Sequence, residues 1–251
     1  MNDPLMTQYS LTLAPDAPCA VRPEWGYRLY TALLEQTDPA FAEALHRDAR
    51  NPVSQYLKIG SDGTAVWNVS LLGGACRQAL EKPLQTQASF ALRTPPLTLR
   101  VLERRVRTVP DIETLLDMGG ACSGRTVLHF RTPTAFKSRG QYRTQPDPRW
   151  ILQSLLRKWN AAFPDCPIED DGGGLEALAD GLRMESCSLR TGAYRLKGNA
   201  VPGFTGDLAL TNTSQGFHRR MCGALLIFAG YAGVGIKTTL GMGGVEPEWL
   251  L

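Results

Sequence analysis

Hydrophobic and polar positions take turns in MTQYSLTLAP, and strand-forming residues dominate, so a β-strand is predicted from Met6 to Ala14. Trp25, Leu29, Ala32 and Leu33 then fall on one helical stripe. Asp38 and Pro39 read as the N-cap and first position of a second helix running to about Arg50, where Asn51-Pro52 stops it. VSQYLKIG and TAVWNVSLL are short strands around an SDG turn, GGACRQALEK is a short helix, and LTLRVLERRVRTV is another strand. The resulting order is β-α-β-β-α-β, a ferredoxin-like unit.

The second half repeats the plan. RTVLHFRTPTAF reads as a strand, PRWILQSLLRKWNAAF as a helix, and MESCSLRTGAYRLKG with VPGFTGDLALTN as a β-pair. Phe217, Met221, Leu225 and Phe228 mark a last helical stripe, and a glycine-rich segment leads from it into a final strand. The predicted fold class is therefore α+β, with two tandem ferredoxin-like units of RRM-like βαββαβ order divided near Pro110, residues 1–110 and 111–251. At 251 residues the chain is long enough for each unit to bury its own core.

Composition alters this picture little, because 43% apolar and 20% charged residues are ordinary for a soluble globular protein. The six cysteines are scattered without a C-x-x-C pair, which argues against zinc sites and disulfide frameworks. No signal-peptide core or run of transmembrane length is present, so a cytoplasmic protein with no membrane partner is expected.

Charge is more informative. The net charge is only +3, but the 27 basic residues are 21 Arg and 6 Lys, and arginine's planar fork suits phosphate oxygens. From Ala121 to Pro146 there is no Asp or Glu, while Arg125, Arg131, Lys137, Arg139 and Arg143 are present. A second basic run carries Arg93, Arg100, Arg104, Arg105 and Arg107. Such a face suits a polyanion such as RNA, although solvated charges on separate surfaces account for the same counts.

The segment FAGYAGVGIKTTLGMGG, Phe228 to Gly244, first suggests a nucleotide site. A phosphate-binding loop requires G-x-x-x-x-G-K-[ST] between strand and helix, whereas here Ile236 separates Gly235 from Lys237 and the loop follows a helix. A dinucleotide fingerprint would need glycine where Thr238 stands. The pairs Gly233-Val-Gly235 and Gly241-Met-Gly243 instead suit a connection lying against another backbone, the protein's own or a nucleic acid's.

The pattern GVGIKTTLGMGGV, after an apolar helix, resembles the signature loop of the CRISPR-associated pre-crRNA-processing endoribonucleases of the RAMP superfamily. FRTPTAF followed by WILQSLLRKWN, GFTGDLAL, and ALHRDARNPVSQY are similar to other stretches of that family. The resemblance implies tandem ferredoxin-like domains, RNA as substrate, and neither metal nor cofactor. It implies CRISPR repeat RNA and crRNA as partners, with effector-complex subunits and a second copy of the chain as further candidates. A catalytically silent RNA-binding subunit of an effector complex is the alternative reading.

Metal-free cleavage by a neighbouring 2′-OH needs a base, an acid and cationic donors for the phosphorane. Histidine is best poised for the proton transfers, and the chain has His46, His129 and His218. The family's catalytic histidine falls in the segment holding His46; Tyr30 matches a tyrosine that some members add, and Arg50 or Asn51 replaces a lysine, leaving Arg50 as a phosphate stabiliser. His129, between Leu128 and Phe130, is expected to be structural, and His218 is read as a phosphate contact close to the glycine loop, beside Arg219. Arg190, Arg195 and Lys197 are the hairpin candidates for RNA binding, with Gly233, Gly235, Lys237, Gly241 and Gly243 placing the substrate. Trp150 and Trp159 are expected in the core.

Overall fold

A computed structural model describes residues 3–47, 52–122, 124–170 and 172–250. The first sheet comprises β1 (Met6–Pro15), β2 (Val53–Ile59), β3 (Ala65–Leu72), β4 (Ser89–Arg93) and β5 (Pro96–Val109), in the order β2-β3-β1-β5-β4. Helices α1 (Gly26–Leu34), α2 (Pro39–Arg47) and α3 (Gly74–Thr86) accompany it. The second half contributes α4 (Ile112–Ala121), β6 (Arg125–Thr134), β7 (Phe136–Ser138), β8 (Gln141–Arg143), α5 (Pro148–Ala162), α6 (Gly174–Asp180), β9 (Leu182–Leu196), β10 (Asn199–Asn212), α7 (Gly216–Ala232) and β11 (Val245–Leu250). Its four-stranded sheet runs β11-β6-β10-β9, and β7 pairs with β8 separately.

Both sheets are antiparallel throughout. Counting only the βαββαβ strands, each has the order fourth-first-third-second, which is the tandem ferredoxin-like arrangement predicted. Alternation explains the first strand, since Tyr9, Leu11 and Leu13 enter one core. That core joins Leu29, Leu33, Trp67, Leu80 and Phe90, with the Trp67 and Phe90 rings edge to face at 5.2 Å. A second core collects Leu128, Phe130, Leu152, Leu155, Trp159, Phe204, Leu208, Leu225 and Phe228. Trp159 is core as expected, whereas Trp150 is only partly buried and packs on Phe136.

Several elements were not predicted. The sequence DIETLLDMGGA forms α4, whose N-cap Asp111 accepts a 2.7 Å hydrogen bond from Thr114 N. This helix lies against α7 where Gly119 meets Gly223, because a Cβ on either would overlap the other helix's backbone. Also unpredicted are β4, the β7–β8 hairpin and the seven-residue α6. Trp25 belongs to a 3₁₀ turn before α1, and the described part of α2 ends at Arg47, short of the predicted Arg50. Among the described residues no helix is long and apolar enough to cross a membrane.

The two sheets are tied by one carboxylate. Glu246 on β11 receives Lys58 Nζ at 2.5 Å and Tyr56 Oη at 3.1 Å from β2, and Arg131 Nε at 2.7 Å from β6. Burial alone would raise its pKa, but hydrogen bonds and charge from Lys58 and Arg131 outweigh this and hold it below the usual 4.5. A depressed folded-state pKa means the stabilisation is present above pH 4.5 and is lost as pH falls through the folded value. Glu246→Gln is therefore expected to lower the urea midpoint at pH 7 and to narrow its distance from wild type at pH 3. An unchanged difference between the two pH values would rule out this ionic tie.

Candidate RNA-processing site

The glycine segment after α7 folds into a compact loop against the protein itself. Val234 N donates to Gly243 O at 2.9 Å, closing the loop's neck. Ile236 N donates to Ala135 O at 2.9 Å and Gly243 N to Pro133 O at 3.0 Å, fixing the loop to the end of β6. Gly235 and Gly243 have φ of +79° and +68°, and a Cβ on them would overlap Ala135 O and Val234 O respectively. These glycines are required by close backbone approach as well as by dihedral. Of the two backbones considered from sequence, the loop's glycines meet the protein's own.

From this loop a hydrogen-bond chain reaches β2. Thr239 Oγ1 donates to Val53 O at 3.0 Å, and Gln55 Nε2 donates to Thr239 O at 3.0 Å. Tyr194 on β9 has its hydroxyl 3.2 Å from Leu240 O and 3.1 Å from Pro23 O, linking the loop to the turn before α1. Burial pushes the Tyr194 phenol well up, so it remains a neutral donor.

Between these elements lies a cleft of about 1020 Å³. Tyr27, Tyr30 and Thr31 of α1, Leu45 of α2, and Val53 and Ser54 of β2 form one side. The β7–β8 hairpin, α5 and the glycine loop form the other. Six cations line it, Lys137, Arg139, Arg157, Lys158, Lys197 and Lys237, and none of the described lining residues is Asp or Glu. A concave surface of one sign focuses its field and concentrates a polyanion.

Lys158 differs from the other five. Its Nζ donates to Thr238 Oγ1 at 2.6 Å and to Ala232 O at 3.1 Å, at the C-terminal end of α7. Burial drives its pKa down to about 7, so desolvation overcomes the support that a helix C-terminus gives a cation.

Tyr30 is buried in α1 and faces the cleft. His46 falls in the last turn of α2, but its side chain lies outside the described residues, as does Arg50. Lys197 is exposed at the β9–β10 turn, with φ of +49° before Gly198 at +82°, and its ammonium sits 4.9 Å from the Tyr27 ring centroid. Lys237 is exposed and left-handed in the loop. Lys197, Lys237, Gly235 and Tyr30 are thus brought together around one cleft.

Other predicted residues fall elsewhere. Arg190 lines a second hollow with Lys58, Arg131 and Asp207, and Arg195 is exposed on β9 opposite Ala200. His218 and Arg219 sit in the first turn of α7, whereas the loop leaves its last turn. Sixteen rises of 1.5 Å separate those ends, about 24 Å, which corrects the expectation that His218 is close to the loop. His129 is structural as read from sequence: Nδ1 lies 2.8 Å from Asp207 and Nε2 2.8 Å from Glu248.

The family model for "CRISPR-associated endoribonuclease Cas6" matches residues 128–245. A CRISPR-associated endoribonuclease Cas6 of Mycobacterium tuberculosis is 30% identical over 248 residues, 97% of this chain and 78% of that protein. The chain belongs to the Cas6 endoribonuclease family. A solved Cas6 product complex superposes with a TM-score of 0.74 at 26% identity, covering 97% of this chain and 99% of the other. A histidine-to-alanine mutant of a Cas6 gives a TM-score of 0.70 at 25% identity, with 97% and 98% covered. This Cas6-family chain is accordingly an endoribonuclease with two ferredoxin-like units.

Sequence reasoning missed Arg157, Lys158 and Ser154, which α5 contributes to the Cas6 cleft. A signal existed: Ser154 and Lys158 are polar positions four apart on a helix whose Ile151, Leu152, Leu155, Leu156 and Trp159 are all buried. Lys137 and Arg139 were legible only as members of a basic run, because the hairpin that turns them towards the cleft has three residues per strand.

Proposed function

We propose that this Cas6-family chain cleaves CRISPR repeat RNA within precursor transcripts without a metal ion. The 2′-oxygen forms a bond to the scissile phosphorus, the bond from phosphorus to the 5′-oxygen breaks, and the products carry a 2′,3′-cyclic phosphate and a 5′-OH. A base takes the 2′-OH proton and an acid returns one to the departing 5′-oxygen. His46 is assigned one of these transfers, Tyr30 assists from α1, and Arg50 with the exposed cleft cations stabilises the phosphorane charge.

The observation that carries this reading is the cation-lined cleft between α1, α2 and the glycine loop, with no Asp or Glu among its described lining residues. The histidine mutant among the solved relatives supports assigning a histidine the central role, and the product complex supports RNA as the ligand. The helical placement of His46, beside cleft-lining Leu45, is compatible with that role.

Two outcomes test it. Repeat RNA with a single 2′-deoxynucleotide at the scissile position is expected to bind normally and remain uncut; cleavage of that RNA would refute 2′-OH attack. Lys237→Ala and Lys197→Ala are each expected to weaken binding and flatten its salt dependence, by about 0.7 in the slope of log affinity against log salt for each single-strand phosphate left without its cation. Unaltered slopes would remove these lysines from the RNA path.

A further inference from the structure

The loop that closes the cleft is held from beneath by α5, through two side chains on one helical face. Ser154 Oγ accepts a 3.0 Å hydrogen bond from Gly235 N, and Lys158, one turn later, bonds Thr238 Oγ1 and Ala232 O. Thr238 precedes Thr239, which bonds Val53 O and accepts from Gln55. Val53 and Gln55 begin β2, the strand that follows α2 after residues 48–52. A path of hydrogen bonds, joined through the backbone between Thr238 and Thr239, thus runs from α5 through the loop to the strand leaving the segment of the candidate catalytic histidine.

We infer that Lys158 is a positioning residue for RNA cleavage: its amine clamps the end of α7 to Thr238 and so fixes the loop and the start of β2 across the cleft from α5. This assignment rests on the reading of the cleft as the cleavage site. Contact geometry distinguishes Lys158 from its neighbours, because Lys197 and Lys237 are exposed, whereas two of the three ammonium hydrogens of Lys158 are engaged within the protein. Among the described residues, the charged groups lining the same cleft are Arg157 on α5, Lys137 and Arg139 on the β7–β8 hairpin, Lys197 at the β9–β10 turn and Lys237 in the loop, all cations. With burial holding Lys158 near pH 7, a role resting on its positive charge would fade at alkaline pH. A clamp persists, since the neutral amine retains two hydrogens for its two acceptors.

The test uses Lys158→Met, Thr238→Val and the double variant, with Thr238→Ser as the conservative control. Single-turnover cleavage of repeat RNA at saturating protein is expected to fall about 10- to 100-fold in Lys158→Met and Thr238→Val, as for a small misplacement of reacting groups. Affinity for the uncleavable 2′-deoxy RNA should stay within about threefold, and Thr238→Ser should restore the rate. The double variant should be little slower than either single one, and the Lys158→Met deficit should be equal at pH 6 and pH 8.5. Additive losses, or a deficit confined to low pH, would overturn the clamp.

Amide hydrogen exchange of unliganded protein gives a readout independent of activity. Residues 233–244 and 52–55 are expected to exchange at least about tenfold faster in Lys158→Met than in wild type. Unchanged protection there would also overturn the clamp. Failure of wild-type protein to cut repeat RNA would instead refute the functional reading, leaving exchange to decide whether Lys158 holds the loop.

Discussion

His46→Ala is expected to lower single-turnover cleavage of repeat RNA by about 10²- to 10⁴-fold, the range for removing one general acid or base. RNA affinity should change little, because the grip is assigned to the exposed cleft lysines, Lys197 and Lys237, rather than to the imidazole. The expectation combines three observations. Family membership gives endoribonuclease activity. Helix α2 borders the cleft through Leu45, the residue before His46. Of the other two histidines, His129 is held between Asp207 and Glu248, and His218 lies at the far end of α7 from the glycine loop. A mutant that cuts at the wild-type rate would exclude His46 and leave the proton transfers to Tyr30 or another group.

Gly235→Ala should be a strongly damaging single-methyl change in the glycine loop. Gly235 has φ of +79°, its N–H bonds Ser154 Oγ, and a Cβ would overlap Ala135 O, whose position is fixed by accepting from Ile236 N. Left-handed strain and backbone overlap together are expected to cost about 2–4 kcal/mol. For a chain of this size that corresponds to a fall in Tm of about 5–15 °C. Because the loop reaches β2 through Thr239, cleavage should fall further than the unfolded fraction alone explains. Gly63→Ala is the control: its φ of +81° carries a similar dihedral penalty, but nothing lies within 4 Å of the added Cβ. Equal losses at both sites would mean that dihedral strain, not close packing of the loop, sets the effect.

How far the sequence spoke depended on the physical signal at each place. Period-two alternation exposed β1 and an apolar stripe exposed α5, because each leaves a periodic pattern, whereas α7 showed itself by its apolar content and is buried continuously from Cys222 to Ala232. Helix α4 escaped notice because its contact with α7 is made by Gly119 and Gly223, and glycine ordinarily argues against a helix interior. The short strand β4 is only five residues between polar turns, too few for a convincing period. At the site, the spacing of Gly233, Gly235, Gly241 and Gly243 disclosed a close backbone approach, but not that its partners are Ala135 and the loop's own neck. Distance along the chain misled for His218, since fourteen of the residues between it and Gly233 are helical and carry it away from the loop. For Lys158 the spacing from Ser154 was visible but its role was not, because a polar residue on an amphipathic helix ordinarily reaches solvent, and only the tertiary meeting of α5 with the α7 terminus turns it inward.

The most direct test of the central claim is incubation of purified protein with repeat RNA from its own locus in EDTA, followed by mass analysis of the fragment ends. A defined cut leaving a 2′,3′-cyclic phosphate upstream and a 5′-OH downstream is the predicted result. Cleavage that requires an added divalent ion, or that leaves a 5′-phosphate, would contradict the account.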